Sequence, residues 1–326
     1  STADEYAQRF GCEFTDSQRG YTNDFPFVYS VNSGKASLFI CDTSVEGEVI
    51  VPEKVRDYTV TYVSSEGFKN CAKMTSVKLP STVKSVAAAA FKGCTSLTHF
   101  EFPSGNTQVG SSFFLDCTSL TDVTLNDGIT SIERGAFGNC SALKALEMPD
   151  SVLKVNGDAF NGCTALEYVK LSDKLTFLGE GAFYSCESLK AVDIPADVTT
   201  IKSYAFAHCF GLKDVIIRSK SCTFGEDCFS DTDFNTSPSF SGTIYGYKGS
   251  TAQEYAKSHN ITFKLIDEAP QINKPAYSVG DVNGDKKVES ADASDVLAEY
   301  GAASTGAVST LSAPQKKAAD VNGDGA

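Results

Sequence analysis

The apolar positions of this chain recur with a fixed spacing of 23 residues over most of its length. Three columns repeat in this way: one of phenylalanine, one of cysteine, and one of leucine that begins with a methionine. They are Phe68, Phe91, Phe114, Phe137, Phe160, Phe183, Phe206 and Phe229; Cys71, Cys94, Cys117, Cys140, Cys163, Cys186 and Cys209; and Met74, Leu97, Leu120, Leu143, Leu166, Leu189 and Leu212. A constant period of about 20–50 residues is typical of a solenoid, in which each repeat packs on the next.

Within one repeat the spacing of apolar residues changes from three to two. Phe137, Cys140 and Leu143 follow each other every three residues, which predicts a short helix or 3₁₀ segment with one face inward. Leu146 and Met148 then alternate with polar residues, which predicts a short strand. Proline cannot donate to a strand ladder, so it ends this strand where it occurs, at Pro80, Pro103, Pro149 and Pro195. The sequence therefore predicts an α/β repeat solenoid of 23-residue units.

The eleven cysteines would suggest disulfides if the chain is secreted. Seven of them keep the 23-residue step, however, and no closely spaced pair typical of a zinc site is present. We interpret this column as small buried thiols, since free cysteine is among the most buried residue types. Cys228 falls at an alanine position and is interpreted in the same way. Cys12 and Cys41 are the best disulfide candidates, and pairing that involves Cys222 or Cys228 stays open.

The pattern also predicts where the array begins and ends. Residues 1–48 lack the repeat and are predicted to form an N-terminal cap, and residues 49–267 to form the solenoid, with five extra residues near 55–63. The array is predicted to close with a strand at "TIYGY", a helix over 252–258 and a strand at "ITFKL". Residues 268–278 carry two prolines and no apolar period, so they are predicted to be a linker. Residues 279–326 are predicted to form a further small α-helical module built around a calcium loop.

Charge and hydropathy narrow the classes of partner. The net charge of −13 leaves no surplus of lysine and arginine to neutralise phosphate, which argues against nucleic acid and against an anionic membrane surface. The longest apolar runs, such as "VAAAAF", are too short to span a bilayer. With 41% apolar residues the chain can nevertheless bury a sizeable core.

The segment 281–292 spaces its oxygen-bearing side chains as a calcium loop does. Such a loop takes side-chain oxygens at its first, third, fifth and twelfth positions, a carbonyl at the seventh and often a water at the ninth. The predicted ligands are Asp281, Asn283, Asp285, Lys287 through its carbonyl, Glu289 and Asp292. A single copy would be equally typical of a polar turn. Because the phrase restarts at Asp320, Asn322 and Asp324, we predict calcium as the bound cofactor.

No motif of an enzyme stands out. His99, His208 and His259 lack a partner cysteine or acid in triad-like spacing, and G-x-S-x-G, Walker A and H-E-x-x-H are missing. The outward residues of the predicted strands instead form a candidate ligand face, made of Lys78, His99, Glu101, Thr124, Glu147, Tyr168, Lys170, Asp193 and Ile216. Its mixed charge and few aromatic residues favour a protein ligand. A carbohydrate or cell-surface adhesin and a spacer that binds nothing are the alternatives.

The repeated "AFxxCxxLxxVxLP" unit resembles the BspA-like bacterial leucine-rich repeat. The segment "IYGYKGSTAQEYAKSHNITF" is similar to the closing segment of such arrays, so the resemblance covers about residues 38–266. It implies a curved solenoid, a surface or secreted location and a binding role.

The tail, with its duplicated D-x-N-G-D loop, resembles a dockerin over residues 279–326. The resemblance implies attachment to a cohesin on the cellulosome scaffold of an anaerobic bacterium. It places the cohesin contacts at Ser290, Ala291, Leu297 and Ala298. Because the second copy stops at Ala326, we expect the natural chain to continue beyond this point.

Overall fold

The structure is a computed structural model that describes residues 19–231 and 240–273. The chain divides into two units, residues 1–272 and 273–326. All elements described below belong to the first unit.

The N-terminal part is an antiparallel sheet that leads into a parallel array. Strands β1 (Arg19–Asp24), β2 (Phe27–Asn32) and β3 (Lys35–Cys41) are antiparallel neighbours. Strand β3 then pairs in parallel with β6 (Tyr58–Val63). Strand β5 (Lys54–Val55) forms an antiparallel hairpin with β6, and this hairpin accommodates the extra residues that the sequence predicted near 55–63.

Each following coil contributes two short strands, and the strands stack into two series of parallel ladders. The outward side chains of the first series form a surface that we call the strand face. Its strands are β4 (Glu46–Ile50), β7 (Lys73–Lys78), β9 (His99–Glu101), β11 (Asp122–Thr124), β13 (Ala145–Glu147), β15 (Tyr168–Lys170), β17 (Ala191–Ile194), β19 (Asp214–Ile217), β21 (Thr243–Gly246) and β22 (Thr262–Leu265). They pair as β4–β7, β9–β11, β13–β15 and β17–β19–β21–β22.

The second series lies on another side of each coil and is nearly continuous. Its strands are β8 (Ser85–Val86), β10 (Gln108–Val109), β12 (Ser131–Ile132), β14 (Lys154–Val155), β16 (Phe177–Leu178), β18 (Thr200–Ile201) and β20 (Thr223–Phe224). From β10 to β20 every strand pairs with the next at a step of 23 residues. The period read from the sequence is therefore the length of one coil.

The backbone between the two ladders makes successive turns, where the sequence predicted a helix or 3₁₀ segment. Phe137, Cys140 and Leu143 are fully buried, as the pattern indicated. The N–H of Cys140 donates to the carbonyl of Phe137 in its own coil at 3.1 Å, whereas the N–H of Phe137 donates to Ala159 in the next coil at 2.7 Å. Asn139 has a positive φ of 58°, which interrupts a helix. In this turn segment the N–H groups of Phe137 and Asn139 both donate to the next coil, so the turns add hydrogen bonds between coils that a continuous helix would direct along its own axis.

The core is a column of rings that follows the solenoid from coil to coil. Phe137 and Phe160 stack with centroids 5.0 Å apart, Phe160 and Phe183 at 4.9 Å, and Phe183 and Phe206 at 5.1 Å. These distances match the spacing of about 4.7–4.9 Å between neighbouring strands. From Phe137 to Phe206 the rings and the strand ladders therefore have about the same rise per coil.

Asn106 is one of five buried polar residues in the described part of the chain; the others are serines. Strand β8 pairs with β6 and β10 with β12, so the described ladder has a gap between β8 and β10. Asn106 is 3% exposed at that gap, and its Oδ1 accepts the N–H of Val86 at 2.9 Å. Its Nδ2 donates to the carbonyl of Val86 at 3.1 Å. The side chain thus replaces the missing ladder bonds, because buried backbone groups need partners.

The array closes with β21, the helix α1 (Thr251–Ser258) and β22, as the sequence predicted. Ser250 caps the helix, and a short 3₁₀ turn, Ile266–Glu268, follows β22. The Tyr255 ring stacks on Phe224 at 4.6 Å, and its hydroxyl accepts the N–H of Cys228 at 3.2 Å. Helix α1 therefore covers the last coil. In the part of the chain that the structure describes, no helix has the length and apolarity to cross a bilayer.

Candidate functional site

The strand face brings most of the predicted ligand residues into one row. Parallel pairing sets Glu101 beside Thr124, and Glu147 beside Lys170. Six of the predicted side chains are exposed and two are half-buried. The exposed ones are Lys78, His99, Glu101, Thr124, Glu147 and Lys170; the half-buried ones are Tyr168 and Asp193.

Ile216 departs from this row, because it is buried and only 2% exposed. It pairs with Asp193 on one side and with Tyr245 of the closing cap on the other. Tyr245 is itself only 6% exposed, and its hydroxyl donates to Asp214 at 3.1 Å. The expectation that Ile216 faces a ligand was therefore wrong. The closing cap covers Ile216, which the pattern within one repeat could not reveal.

Two ion pairs add residues to the face that sequence reasoning missed. The Lys78 Nζ lies 2.9 Å from the Glu48 carboxylate. Arg218 donates through Nε and Nη2 to both carboxylate oxygens of Asp193, each at 2.7 Å. This fork raises the pKa of Arg218 further above its ordinary value, since the carboxylate favours the charged guanidinium.

The sequence held a signal for both residues. Arg218 lies 23 residues after Pro195 and so occupies the position that follows the outward strand residues. Glu48 pairs with Ser76, 28 residues later, which is one repeat plus the five extra residues. Pro52 lies 28 residues before Pro80. Shifting the segment before Pro52 by the same 28 residues aligns Glu48 with Ser76, and one repeat further with His99, so Glu48 was predictable as a residue of the strand face.

The cysteine column lies inside the solenoid and has a structural role. Each thiol from Cys94 to Cys209 donates to the carbonyl of a core phenylalanine one coil earlier, at 3.0–3.3 Å. Burial raises the pKa of Cys117 and of Cys163 to about 12. A buried thiol that stays protonated is a poor nucleophile. The column therefore holds neighbouring coils together.

No disulfide occurs among the ten cysteines that the structure describes, and all ten are buried. Cys41 carries a free thiol that donates to the Asp42 carbonyl at 3.6 Å, and Cys71 donates to the same oxygen at 3.7 Å. Cys41, which the sequence offered as a disulfide candidate, is therefore a free thiol that shares the Asp42 carbonyl with Cys71, the first thiol of the column. Cys222 and Cys228 are free as well, and Cys228 is a core residue as predicted. Cys12 lies outside the described residues.

The three histidines lie on different elements of the fold. His99 lies exposed on β9, and His259 stacks on Tyr255 with centroids 4.0 Å apart. His208 packs against Tyr184 at 4.8 Å. Over residues 19–231 and 240–273, no three histidine, cysteine or acidic side chains gather as metal ligands would.

The predicted calcium and cohesin residues lie outside the described residues. They are Asp281, Asn283, Asp285, Lys287, Glu289, Asp292, Asp320, Asn322 and Asp324 for the metal, and Ser290, Ala291, Leu297 and Ala298 for the cohesin. The metal set consists of carboxylate, amide and carbonyl oxygens, which is the donor chemistry that the hard cation Ca²⁺ prefers. The predicted metal ligands therefore have the donor chemistry that suits calcium.

Comparisons with known proteins agree with this architecture. The family described as BspA type leucine-rich repeat region matches residues 61–163 and 130–248, with six copies. The dockerin type I domain matches residues 279–326. No curated protein matches the chain.

Several solved structures are similar. The leucine-rich repeat protein of T. pallidum is 18% identical over 77% of this chain and 98% of its own, with a TM-score of 0.45. A leucine-rich repeat protein of Eubacterium ventriosum is 19% identical over 70% of this chain and 53% of its own, with a TM-score of 0.49. The pneumococcal vaccine antigen PcpA is 16% identical over 78% of this chain and 99% of its own, with a TM-score of 0.36.

The repeat matches together cover more than half of the chain, and they coincide with the stacked coils described above. This chain therefore belongs to the BspA-type leucine-rich repeat family, and it carries a dockerin type I domain at residues 279–326.

Proposed function

We propose that this chain is a recognition protein without catalytic activity, whose strand face binds a protein and whose dockerin attaches it to a cohesin. Leucine-rich repeats and dockerins are both non-catalytic interaction modules. The observation that carries the proposal is the row of accessible side chains on the strand face, which rests on a buried and regular core.

The chemistry of the row supports a protein ligand. The row mixes lysine with glutamate and aspartate, with Glu147 beside Lys170 and Asp193 held by Arg218. Such an arrangement suits a partner with complementary charges, since charge pairs fix the register of an interface and exclude wrong partners. Tyr168 is the single aromatic residue among the accessible side chains of the predicted row.

The two modules indicate an extracellular or cell-surface protein. We propose the finer location as well: secretion by an anaerobic bacterium and attachment to a cellulosome scaffold. The −13 net charge is consistent with a protein partner and offers little to nucleic acid.

In the dockerin, Asp281, Asn283, Asp285 and Asp292 would hold calcium through their side chains. Lys287 would contribute its carbonyl, and Glu289 would bind directly or through water. Calcium supplies charge neutralisation for these acids, so that the loop folds only when it is occupied. Ser290 and Ala291 would point toward the cohesin.

A charge reversal tests the strand face. The ligand isolated with the full chain is titrated by calorimetry against Lys170→Glu and against Lys154→Glu. Lys154 is an exposed lysine on β14, so it is a matched control on the other ladder. We expect Lys170→Glu to weaken binding at least about tenfold, and Lys154→Glu to have little effect.

Equal affinity of both variants would refute the strand face as the interface. Binding to a glycan array that Lys170→Glu weakens would favour the adhesin alternative. If no ligand is captured in either assay, the spacer alternative stands.

A second calorimetric experiment tests the dockerin against a panel of cohesins, with calcium and with a chelator. We expect binding only with calcium, loss of both metal and cohesin binding in Asp281→Ala, and loss of cohesin binding alone when Ser290 and Ala291 are both replaced by lysine. Cohesin binding of equal strength in the chelator would contradict the assignment.

A further inference from the structure

Two buried thiols meet where the N-terminal sheet joins the first coil. Cys41 ends strand β3, Cys71 lies in the first turn segment, and both thiols are free. Their sulfur atoms lie 3.6 and 3.7 Å from the same oxygen, the carbonyl of Asp42. A side-chain interaction with Cys71 is also the largest cause that raises the pKa of Cys41, ahead of burial. The two sulfur atoms are therefore neighbours, and we call Cys41 and Cys71 the junction pair.

The junction pair is bonded to the backbone differently from the thiols of the interior coils. Each thiol from Cys94 to Cys209 has a carbonyl of its own, at 3.0–3.3 Å. The junction pair instead shares one carbonyl, and both of its distances are longer. Because hydrogen bonds weaken with distance, the backbone holds these two sulfur atoms less firmly than those of the interior.

The junction pair also lies at one end of the array of stacked coils. The N–H of Cys41 donates to the carbonyl of Gly67 at 2.7 Å, and this bond joins the N-terminal sheet to the first coil. A second such bond runs from the N–H of Ser64 to the carbonyl of Leu38 at 2.8 Å. In a repeat array each unit is held by its nearest neighbours, so an end can open while the middle stays closed. Opening at this junction exposes both thiols without separating the interior coils.

The spacing at the junction suits a bond between the two sulfur atoms. Strand β3, which carries Cys41, pairs in parallel with β6, which leads into the turn segment of Cys71. Paired strands lie about 4.7–4.9 Å apart, and disulfides join residues whose Cα atoms are about 4.4–6.8 Å apart. We propose that the junction pair is a redox-sensitive cross-link: a disulfide oxidant joins Cys41 to Cys71 and so fixes the N-terminal sheet on the first coil. The structure shows the pair in its reduced form.

The reaction consumes one molecule of a small disulfide, such as oxidised glutathione. When the junction opens, the thiolate of Cys71 attacks one glutathione sulfur, and a mixed disulfide forms as the first glutathione leaves. The thiolate of Cys41 then attacks the Cys71 sulfur, which forms the cross-link and releases the second glutathione. Two cysteine thiols are oxidised, one disulfide is reduced to two thiols, and the two protons pass to the released glutathione. Disulfides of this kind persist outside the cell, where the environment is oxidising.

Oxidation of the full chain tests the proposal. The chain is reduced, freed of reductant and incubated with oxidised glutathione in native buffer; the remaining thiols are then blocked, and linked peptides are identified by mass spectrometry. Cys186 and Cys209 are the matched control, because their side chains also interact, but each has its own carbonyl, at 3.3 and 3.1 Å, in the interior of the array. Thermal unfolding of the oxidised and the reduced chain measures whether the sheet is fixed.

We expect a link between Cys41 and Cys71, no link between Cys186 and Cys209, and a midpoint of unfolding about 5 °C or more above that of the reduced chain. A reductant should reverse the shift. Cys41→Ala should abolish it, whereas Cys186→Ala should retain it. The proposal is overturned if Cys41 stays free, carries only glutathione or pairs with Cys12, or if Cys186 and Cys209 are linked as fast. A link that leaves the midpoint unchanged would also overturn it.

The linkage is measured in the unmodified chain, so the test holds even if a variant fails to fold.

Discussion

The phenylalanine column and the strand face follow the same 23-residue period, yet they use it in opposite ways. Inside, the residue is the same in every coil, and neighbouring rings lie between 4.9 Å apart, as for Phe160 and Phe183, and 5.9 Å apart, as for Phe91 and Phe114. Outside, the equivalent position changes from Lys78 to Glu101, Thr124 and Glu147. Stacking restricts the interior to one shape, whereas the strand face is restricted only by solubility and by its ligand. The positions that vary between coils are therefore the place to look for function.

The largest effect that we expect is a loss of stability at alkaline pH. Burial raises the pKa of Cys117 and of Cys163 from 9.0 to about 12. In the unfolded chain these thiols ionise above about pH 9, so the unfolded state then binds fewer protons and the free energy of unfolding falls as pH rises. The stabilisation is complete below pH 9 and is lost at about 1.4 kcal/mol per pH unit for each such thiol.

Urea unfolding at about pH 8, 9 and 10 measures this slope. The double variant Cys117→Ala and Cys163→Ala should show a shallower dependence on pH than the unmodified chain. If the two slopes are the same, the interior thiols do not govern the alkaline transition.

The second largest effect contrasts a core residue with a face residue of the same coil. Phe160→Ala removes a fully buried ring from the column and should lower the free energy of unfolding by about 3–5 kcal/mol. Lys170→Ala should change it by less than about 0.5 kcal/mol. Urea denaturation of both variants checks the comparison. Similar losses would mean that the strand face contributes to the fold as much as the core does.

A smaller effect concerns Asn106, the buried side chain that bonds to the backbone of Val86. Asn106→Val should lower the free energy of unfolding by about 1–3 kcal/mol, because it leaves the buried N–H and carbonyl of Val86 without partners. Ile129 occupies the equivalent position one repeat later, so Ile129→Val is the control, with an expected cost of about 0.5–1.5 kcal/mol. A variant Asn106→Val that is more stable than the unmodified chain would contradict the role of Asn106 as a bridge.

The smallest effect concerns the reactivity of the thiols in the native protein. A thiol reagent in native buffer should modify few cysteines, since the ten that the structure describes are buried and free. In denaturant the same reagent should count eleven thiols. Rapid modification of most thiols in the native protein would be evidence against the buried column.

The period alone predicted much of this fold. The spacing of Phe137 and Phe160 gave the coil length, and the alternation at Leu146 and Met148 gave the strand. It did not distinguish a helix from successive turns, because both bury every third residue. The difference lies in the backbone, where alternate N–H groups bond to the next coil, and side-chain patterns do not report that choice.

The candidate site was predictable to a similar degree. Alternation within a strand identified the outward row, and the structure leaves Lys78 through Asp193 accessible. Ile216 was misassigned, because its burial depends on Tyr245 of the closing cap and thus on contacts outside the repeat.

The turns that replace a helix have a consequence for how such a chain can evolve. Each coil presents to the next the same pattern of donors and acceptors, as the bond from Phe137 to Ala159 is repeated by the bond from Phe160 to Ala182, both at 2.7 Å. A duplication or deletion of 23 residues among the coils from β10 to β20 therefore leaves each coil of this ladder with a matching neighbour. The array can therefore become longer or shorter by one coil at a time. Its exposed surface changes with it, while the packing of the core stays the same.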